Sequence, residues 1–369
     1  MTEETKRYVY SCRRVVPEKR DVAQAYQQEP EELNPAAPVG EVAQNAVTLS
    51  DEGVEAYMNA SNLLSISEDT LAYVQGEVVE RDVENASIAG VGSIPEDADL
   101  AFLQALGMRE RLGKRAGVYP SGAGVKIAVI DQGLGSRVAT WLHSAGVLAG
   151  AWSMIGERAT AASGDHGTHV ATTATPDGAK LYHYQALGDH GSGSSSGIIR
   201  AIYHAVEQGV DIINMSLGGS GGGEQYETAI RYAKSQGVLV FCAAGNTGRQ
   251  EHRYPASCPS AISVAAYDRA SGAKASFSTF NSGVDVAGSG VSVLAYLASG
   301  ALGRMSGTSM ATPTAAFVAA LVAGKTGARG DELLQALRAA AKDMGGPATY
   351  DGSGLVQGKR TLKKIRGKE

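Results

Sequence analysis

Residues 194–215 read SSSGIIRAIYHAVEQGVDIINM, and residues 224–242, EQYETAIRYAKSQGVLVFC, repeat the same grammar: a helical stretch, a glycine, and a short apolar run. Gly209 and Gly237 stand where a helix end favours a left-handed residue. The runs that follow, 210–215 and 238–242, have the apolar character of strands covered on both faces. A third run, VKIAVI at 125–130, ends abruptly in Asp131, with Gly133 and Gly135 turning the chain. Repetition of this unit predicts an α/β domain, a doubly wound, mostly parallel sheet with helices on both faces. Reactive groups in such folds collect beyond the carboxyl ends of the strands. Asp131, Asn214, Ser216 and Asn246 all stand there, each at or just past the end of an apolar run.

Outward from this region the chain changes character. Its 369 residues are 43% hydrophobic and 6% aromatic, enough for at least one sizeable core and long for a single average domain. The 47 glycines follow no collagen period and no 20–50-residue repeat. Residues 1–99 hold 20 acidic and 7 basic side chains, whereas 100–369 hold 18 and 26, so the two parts are electrostatic opposites. We therefore expect an acidic N-terminal segment over 1–99 and a catalytic-sized domain over 100–369 ending in a short basic tail. EPEELNPAAP at 29–38 reads as linker, RYVYSC at 7–12 as a strand, and the segment as a whole as a small α+β unit docked on the rest. The first residues lack the apolar core of a secretory signal, which favours a cytoplasmic over a secreted protein. The apolar stretch at 315–324 is far short of the roughly 18 residues of a membrane span. Three cysteines imply no disulfide framework: Cys242 and Cys258 read as buried thiols, with a bridge between them as the alternative. The lysines and arginines at 359–368 read as a solvated terminus rather than a nucleic-acid site.

Cleaving a peptide with a hydroxyl needs a base for its proton, a group that fixes the base's tautomer, and donors for the oxyanion. GTSMATP at 307–313 puts Ser309 at the head of an apolar helix over 310–322, where free N–H groups favour negative charge. DHGTHVA at 165–171 puts His166 at another helix start, and AAGNTG at 243–248 presents the Asn246 amide on a loop after a strand. Singly, each has a blander reading. An Asp ending a strand is usually a turn former, a Ser near a helix start a cap, and two histidines spaced as in His166-x-x-His169 could bind metal or simply pack.

In this order, AVIDQG around Asp131, HGTHVA from His166, NMSLGG from Asn214, AAGN ending at Asn246 and GTSMATP around Ser309 resemble the subtilases, the subtilisin-like serine proteases, over about residues 100–354. The resemblance implies an acyl-enzyme mechanism with Ser309 as nucleophile, His166 as general base and Asp131 as its orienting carboxylate. Asn246 would serve the oxyanion, and His169 would be structural. Ser216, Leu217 and Gly218 would bind substrate backbone as an added strand, facing Gly191, Ser192 and Gly193 across the cleft.

Departures from the family pattern carry further expectations. Only eleven residues separate His169 from Leu181, too few for the calcium loop many subtilases carry, so no cofactor is expected and that strong calcium site is expected to be absent. Arg253, in RYPAS, falls at the base of the pocket for the residue before the cleaved bond, where it would favour an acidic side chain or partly block the pocket, unless it swings outward or pairs with Glu251. Ser194 and Ser195 leave the pocket three residues further out open. By position the acidic segment is a propeptide that occupies the cleft of a zymogen and is cut between about Val79 and Leu100; a separate partner-binding domain is the alternative. The expected partners are a protein or peptide substrate and the chain's own N-terminal segment, on a monomer that binds neither nucleic acid nor membrane. A transpeptidase or macrocyclase on the same fold, and a non-catalytic peptide-binding scaffold, are the alternatives in function.

Overall fold

The structure is a computed structural model that describes residues 122–268 and 271–367 fully, and from the earlier part of the chain the strands within 6–82. Those strands are β1 (Lys6–Arg13), β2 (Glu31–Glu32), β3 (Val42–Leu49), β4 (Leu63–Glu68), β5 (Leu71–Val74) and β6 (Glu77–Asp82). The main domain follows with β7 (Lys126–Gln132), α1 (Ser136–Ser144), β8 (Leu148–Ser153), α2 (Asp165–Ala174), β9 (Lys180–Leu187), β10 (Ser192–Ser194) and α3 (Ser195–Glu207). Next come β11 (Ile212–Met215), β12 (Leu217–Gly218), α4 (Gly223–Ser235), β13 (Leu239–Ala243), β14 (Ile262–Asp268), β15 (Ala273–Lys274), β16 (Val284–Ser289), β17 (Val293–Tyr296) and β18 (Leu302–Ser306). Helices α5 (Thr308–Thr326), α6 (Gly330–Ala340), α7 (Ala348–Asp351) and α8 (Gly358–Ile365) close the chain.

The expected parallel sheet is present. Strands β16, β14, β13, β11, β7, β9 and β8 lie side by side in that order with every pairing parallel, and only the short β15 runs antiparallel, on β14. Alternate residues of β7 face opposite layers. Ile127 and Val129 join the core formed with α1, α2, α5 and α6, while Ala128 and Ile130 join the one formed with α3 and α4. Both helix-to-strand glycines have positive φ, 67° at Gly209 and 79° at Gly237, so each ends its helix in the left-handed conformation that the sequence pattern demands. Helix α5 is buried from Thr308 to Ala323, which explains why it is apolar all round rather than on one stripe. After β7 the chain builds the β9–β8 side first and only then crosses to β11 and beyond. The sheet therefore reverses its winding at β7, and the carboxyl end of that strand is where a crevice forms.

Strand RYVYSC lies within β1, part of a four-stranded antiparallel sheet of order β2-β3-β1-β4 that contacts α4. The helical part expected of the N-terminal segment, and the boundary at 99, fall outside the described residues. Cys242 and Cys258 are both buried free thiols, pushed up in pKa by burial, and no bridge joins them. No helix among the described residues is long and apolar enough to cross a membrane.

Candidate active site

Four elements end at the crevice, and each delivers one of the residues singled out in the sequence. Asp131 is the next-to-last residue of β7 and is fully buried. His166 is the second residue of α2, 4% exposed, and its Nδ1 lies 2.7 Å from Asp131 Oδ1. The same carboxylate oxygen accepts the Gln132 backbone N–H at 2.7 Å. Gln132 then works from both ends of its amide: Oε1 accepts the His166 backbone N–H at 3.1 Å, while Nε2 donates to Asp189 O at 2.8 Å and Gly188 O at 3.2 Å. Thus β7, α2 and the turn after β9 are held together around the imidazole. Since Nδ1 faces a carboxylate, its proton belongs there, and His166 Nε2 is left buried with no hydrogen-bond partner.

Ser309 opens the first turn of α5 and is fully buried. Its hydroxyl donates to Ser216 O at 2.9 Å, not to His166. Ser216 returns the contact, its Oγ donating to Ser309 O at 2.8 Å, and Asn214 Nδ2 donates to Ser216 Oγ at 3.0 Å. A covalent reason underlies this exchange. The helical partner of Ser309 O would be the N–H of residue 313, and Pro313 has none. The orphaned carbonyl is capped by Ser216, which ties the end of β11 to the base of α5.

Asn246, three residues beyond β13, accepts at Oδ1 from both Thr308 N, 2.8 Å, and Thr308 Oγ1, 2.9 Å. That fixes the flip of its amide and turns Nδ2 the other way, on a partly exposed side chain next to Ser309. Gln132 and Thr308 were given no role from the sequence, and no signal in it singles them out. A Gln after a strand and a Thr before a Ser are ordinary residues until tertiary contacts show what they orient.

His169, the second histidine of α2, lies apart from this group. It is fully buried, and its Nε2 faces Val293 O at 2.9 Å and Gly303 O at 3.2 Å, a packing and hydrogen-bonding position that matches the structural reading. Burial lowers its pKa to about 4. His183 on β9 is likewise buried, with Nε2 2.7 Å from Gln132 O and a pKa lowered by burial to about 4.

The two edges expected to hold a peptide are strands, and they are already occupied. Leu217 and Gly218 form β12, and Ser192 to Ser194 form β10. Strand β5 of the N-terminal segment runs antiparallel between them, with Leu71, Ala72 and Tyr73 opposite Ser194, Gly193 and Ser192, and Tyr73 and Val74 opposite Gly218 and Leu217. Gly191 lies outside this ladder: its φ of 79° makes it the turn residue before β10, and its N–H bonds Gly188 O at 2.8 Å. Ser194, expected only to leave a pocket open, pairs in the ladder and also caps α3 through Gly197 N. Ala72 is 1% exposed, in the core cluster that contains Ile198 and Leu217, whereas Tyr73 is 48% exposed.

Arg253 borders the same site. Its neighbour Tyr254 exchanges both backbone hydrogen bonds with Gly219, and its Cγ packs so close to Gly245 that a Cβ built there would meet it at 3.1 Å. The guanidinium is turned to Glu251, with Nη1 3.9 Å from Oε1, while Arg253 Nε and Glu251 Oε1 make no hydrogen bond.

The model of the Subtilase family matches residues 122–354, the span that carries every residue of this constellation. The chain belongs to the subtilase family. It is a serine endopeptidase of the subtilisin type, similar to the thermostable alkaline protease of Halalkalibacterium halodurans, at 36% identity over 66% of this chain and 68% of that protein. Thermitase of Thermoactinomyces vulgaris is 34% identical over 66% of this chain and 90% of its own length. In fold, the subtilase resembles fervidolysin from Fervidobacterium pennivorans, a keratinolytic enzyme related to subtilisin, with a TM-score of 0.77 at 21% identity. That likeness covers 98% of this chain, which spans 61% of the fervidolysin chain.

Proposed function

We propose that Ser309 is the nucleophile of this protease, His166 its general base and Asp131 the carboxylate that holds the imidazole, with Asn246 Nδ2 and the Ser309 backbone N–H stabilising the oxyanion. The observation that carries the proposal is the 2.7 Å contact between His166 Nδ1 and Asp131 Oδ1, which leaves the buried Nε2 as a free acceptor. The Ser309 hydroxyl is held on Ser216 O, and the bond from a nucleophile to its base commonly forms only in the substrate complex. In the forward step Ser309 Oγ attacks the scissile carbonyl, His166 takes its proton and passes it to the leaving amine, and water then cleaves the ester. Digestion of an unfolded protein, followed by mass spectrometry, tests this reading. Wild type yields peptides and Ser309→Ala none; equal digestion by both would refute it.

The acidic N-terminal segment acts as a propeptide, and the enzyme is made as a zymogen. Support comes from β5, which occupies both backbone edges that a substrate strand would need. The enzyme works as a monomer on protein or peptide substrates. No calcium is needed at the histidine helix, because only residues 175–179 connect α2 to β9. Arg253 no longer argues simply for an acidic residue before the cleaved bond, since Glu251 offsets its charge.

A further inference from the structure

One side chain, that of Gln132, touches both the edge on which a peptide pairs and the general base. The edge strand β10 follows directly on the turn 188–191, which is closed by Gly191 N–H on Gly188 O at 2.8 Å and by Gly188 N–H on Ser192 O at 2.9 Å. Strand β10 sits hard against the end of β9, where a Cβ built on Gly193 would meet Ala186 O at 2.0 Å. Gln132 Nε2 donates to Gly188 O and Asp189 O of that turn, and Oε1 accepts the His166 N–H. The partners settle this orientation, since a flipped amide would set donor against donor on one side and acceptor against two acceptors on the other. The backbone of Gln132 is pinned. Its N–H donates to Asp131 Oδ1, its carbonyl oxygen faces His183 Nε2 at 2.7 Å, and a Cβ on Gly167 would come within 2.2 Å of that oxygen. The part of the residue left to follow the turn is the amide, a rigid plane packed on Gly164, where a Cβ would lie 2.6 Å from both Oε1 and Nε2. A displacement at one end of that plane is felt at the other.

We propose that Gln132 is a positioning residue that carries occupation of the β10 edge to His166, so that a peptide long enough to pair with β10 is cleaved with a higher kcat than one that reaches β12 alone. This rests on the triad proposed above. A strand paired with Ser192–Ser194 holds the turn, the turn holds Nε2 on its two carbonyls, and the amide plane then fixes Oε1 on the His166 N–H at the start of α2. The Gln132 N–H lies on the same Asp131 oxygen that faces His166 Nδ1, so carboxylate and imidazole are both set from this residue. Binding energy from residues remote from the scissile bond is thereby spent on alignment, which raises kcat rather than only lowering KM. The length required follows from the register. Along β5, Val74 lies opposite Leu217, Tyr73 opposite both Gly218 and Ser192, and Ala72 and Leu71 opposite Gly193 and Ser194. A peptide on that path meets β12 with its residues nearer Ser309 and β10 with those beyond. A second link between the turn and α2 bypasses Gln132: Asp189 Oδ2 accepts the Ser163 N–H at 3.0 Å and its hydroxyl at 2.5 Å. That link ends ahead of α2 rather than on His166, which makes Ser163 the control.

The test is steady-state kinetics on two p-nitroanilides that end alike, acetyl-Val-Leu and acetyl-Leu-Ala-Tyr-Val-Leu. The protein is the purified full chain as wild type, Gln132→Met, Gln132→Glu and Ser163→Ala, each checked for folding by circular dichroism and titrated with a sulfonyl fluoride to count reactive sites. Wild type is expected to turn over the longer peptide with a kcat roughly ten-fold higher. Met fills similar space without donor or acceptor, and Glu keeps an acceptor for the His166 N–H but has no donor for the turn. In both variants the ratio of the two kcat values is expected to fall to within about two-fold of one, whatever happens to the rates themselves. Ser163→Ala is expected to keep the wild-type ratio. A residue that merely supports the fold would slow both peptides alike and leave the ratio unmoved. Equal kcat values for the two peptides in wild type, the wild-type ratio retained in either Gln132 variant, or its loss in Ser163→Ala overturns the role of Gln132 while leaving the triad standing. A wild type that digests neither these peptides nor an unfolded protein, or a Ser309→Ala chain that cleaves them equally well, fails the triad instead.

Discussion

Lowering the pH from 7 to 5 should destabilise this fold through two histidines that the chemistry does not use. His169 and His183 are fully buried, and each presents Nε2 to backbone carbonyls while Nδ1 has no partner. Protonation would put an N–H on Nδ1 with nothing to accept it, and burial holds both pKa values near 4, against an ordinary value of 6.5. In the unfolded chain both titrate near 6.5, so between about pH 6.5 and 4 the unfolded state binds more protons and stability falls as pH falls. Over pH 7 to 5 each histidine contributes a loss of about 2 kcal/mol, about 4 kcal/mol together. Guanidinium unfolding of Ser309→Ala, which cannot digest itself, measures the drop at both pH values. Repeating it in His169→Gln and in His183→Gln isolates each share. Each variant should lose about half of the parent's pH-dependent drop; a drop of the same size in parent and variants would refute the reasoning, because other groups would then be responsible.

Ser216→Ala removes the donor that caps Ser309 O, a carbonyl that Pro313 cannot serve, and should cost about 1–3 kcal/mol in the same unfolding assay. Gly167→Ala places a Cβ about 2.2 Å from Gln132 O, so α2 must move away from β7; we expect about 1–3 kcal/mol of lost stability and a reduced kcat from a displaced His166, both measurable on purified protein. Chelation by EDTA should leave the thermal midpoint of Ser309→Ala unchanged, whereas a fall reversed by added calcium would place a structural cation elsewhere in the fold.

The parallel sheet was legible because its evidence is local. Two helix–glycine–strand units and an apolar run ending in Asp131 state their own periods, and the observed strands at Ile212–Met215 and Leu239–Ala243 differ from the expected ones by two residues at most. Helix α5 begins at Thr308 rather than 310, which puts Ser309 inside its first turn rather than before it. What sequence could not reveal was pairing at a distance. LAYV at 71–74 has the pattern of many short strands, and only the register shows it lying between β10 and β12. The same holds for Gln132 and Thr308, whose side chains orient His166 and Asn246. Arg253 was singled out in the sequence with pairing to Glu251 as the alternative, and the structure brings its Nη1 to 3.9 Å from Glu251 Oε1.

Activation of Ser309 by His166 is the property on which the proposed chemistry depends. Labelling the full chain with a sulfonyl fluoride, followed by proteolytic mapping, reads that directly. We predict one adduct per active chain, on Ser309, and its loss in His166→Ala; an adduct on another residue, or undiminished labelling of Ser309 without His166, would contradict it.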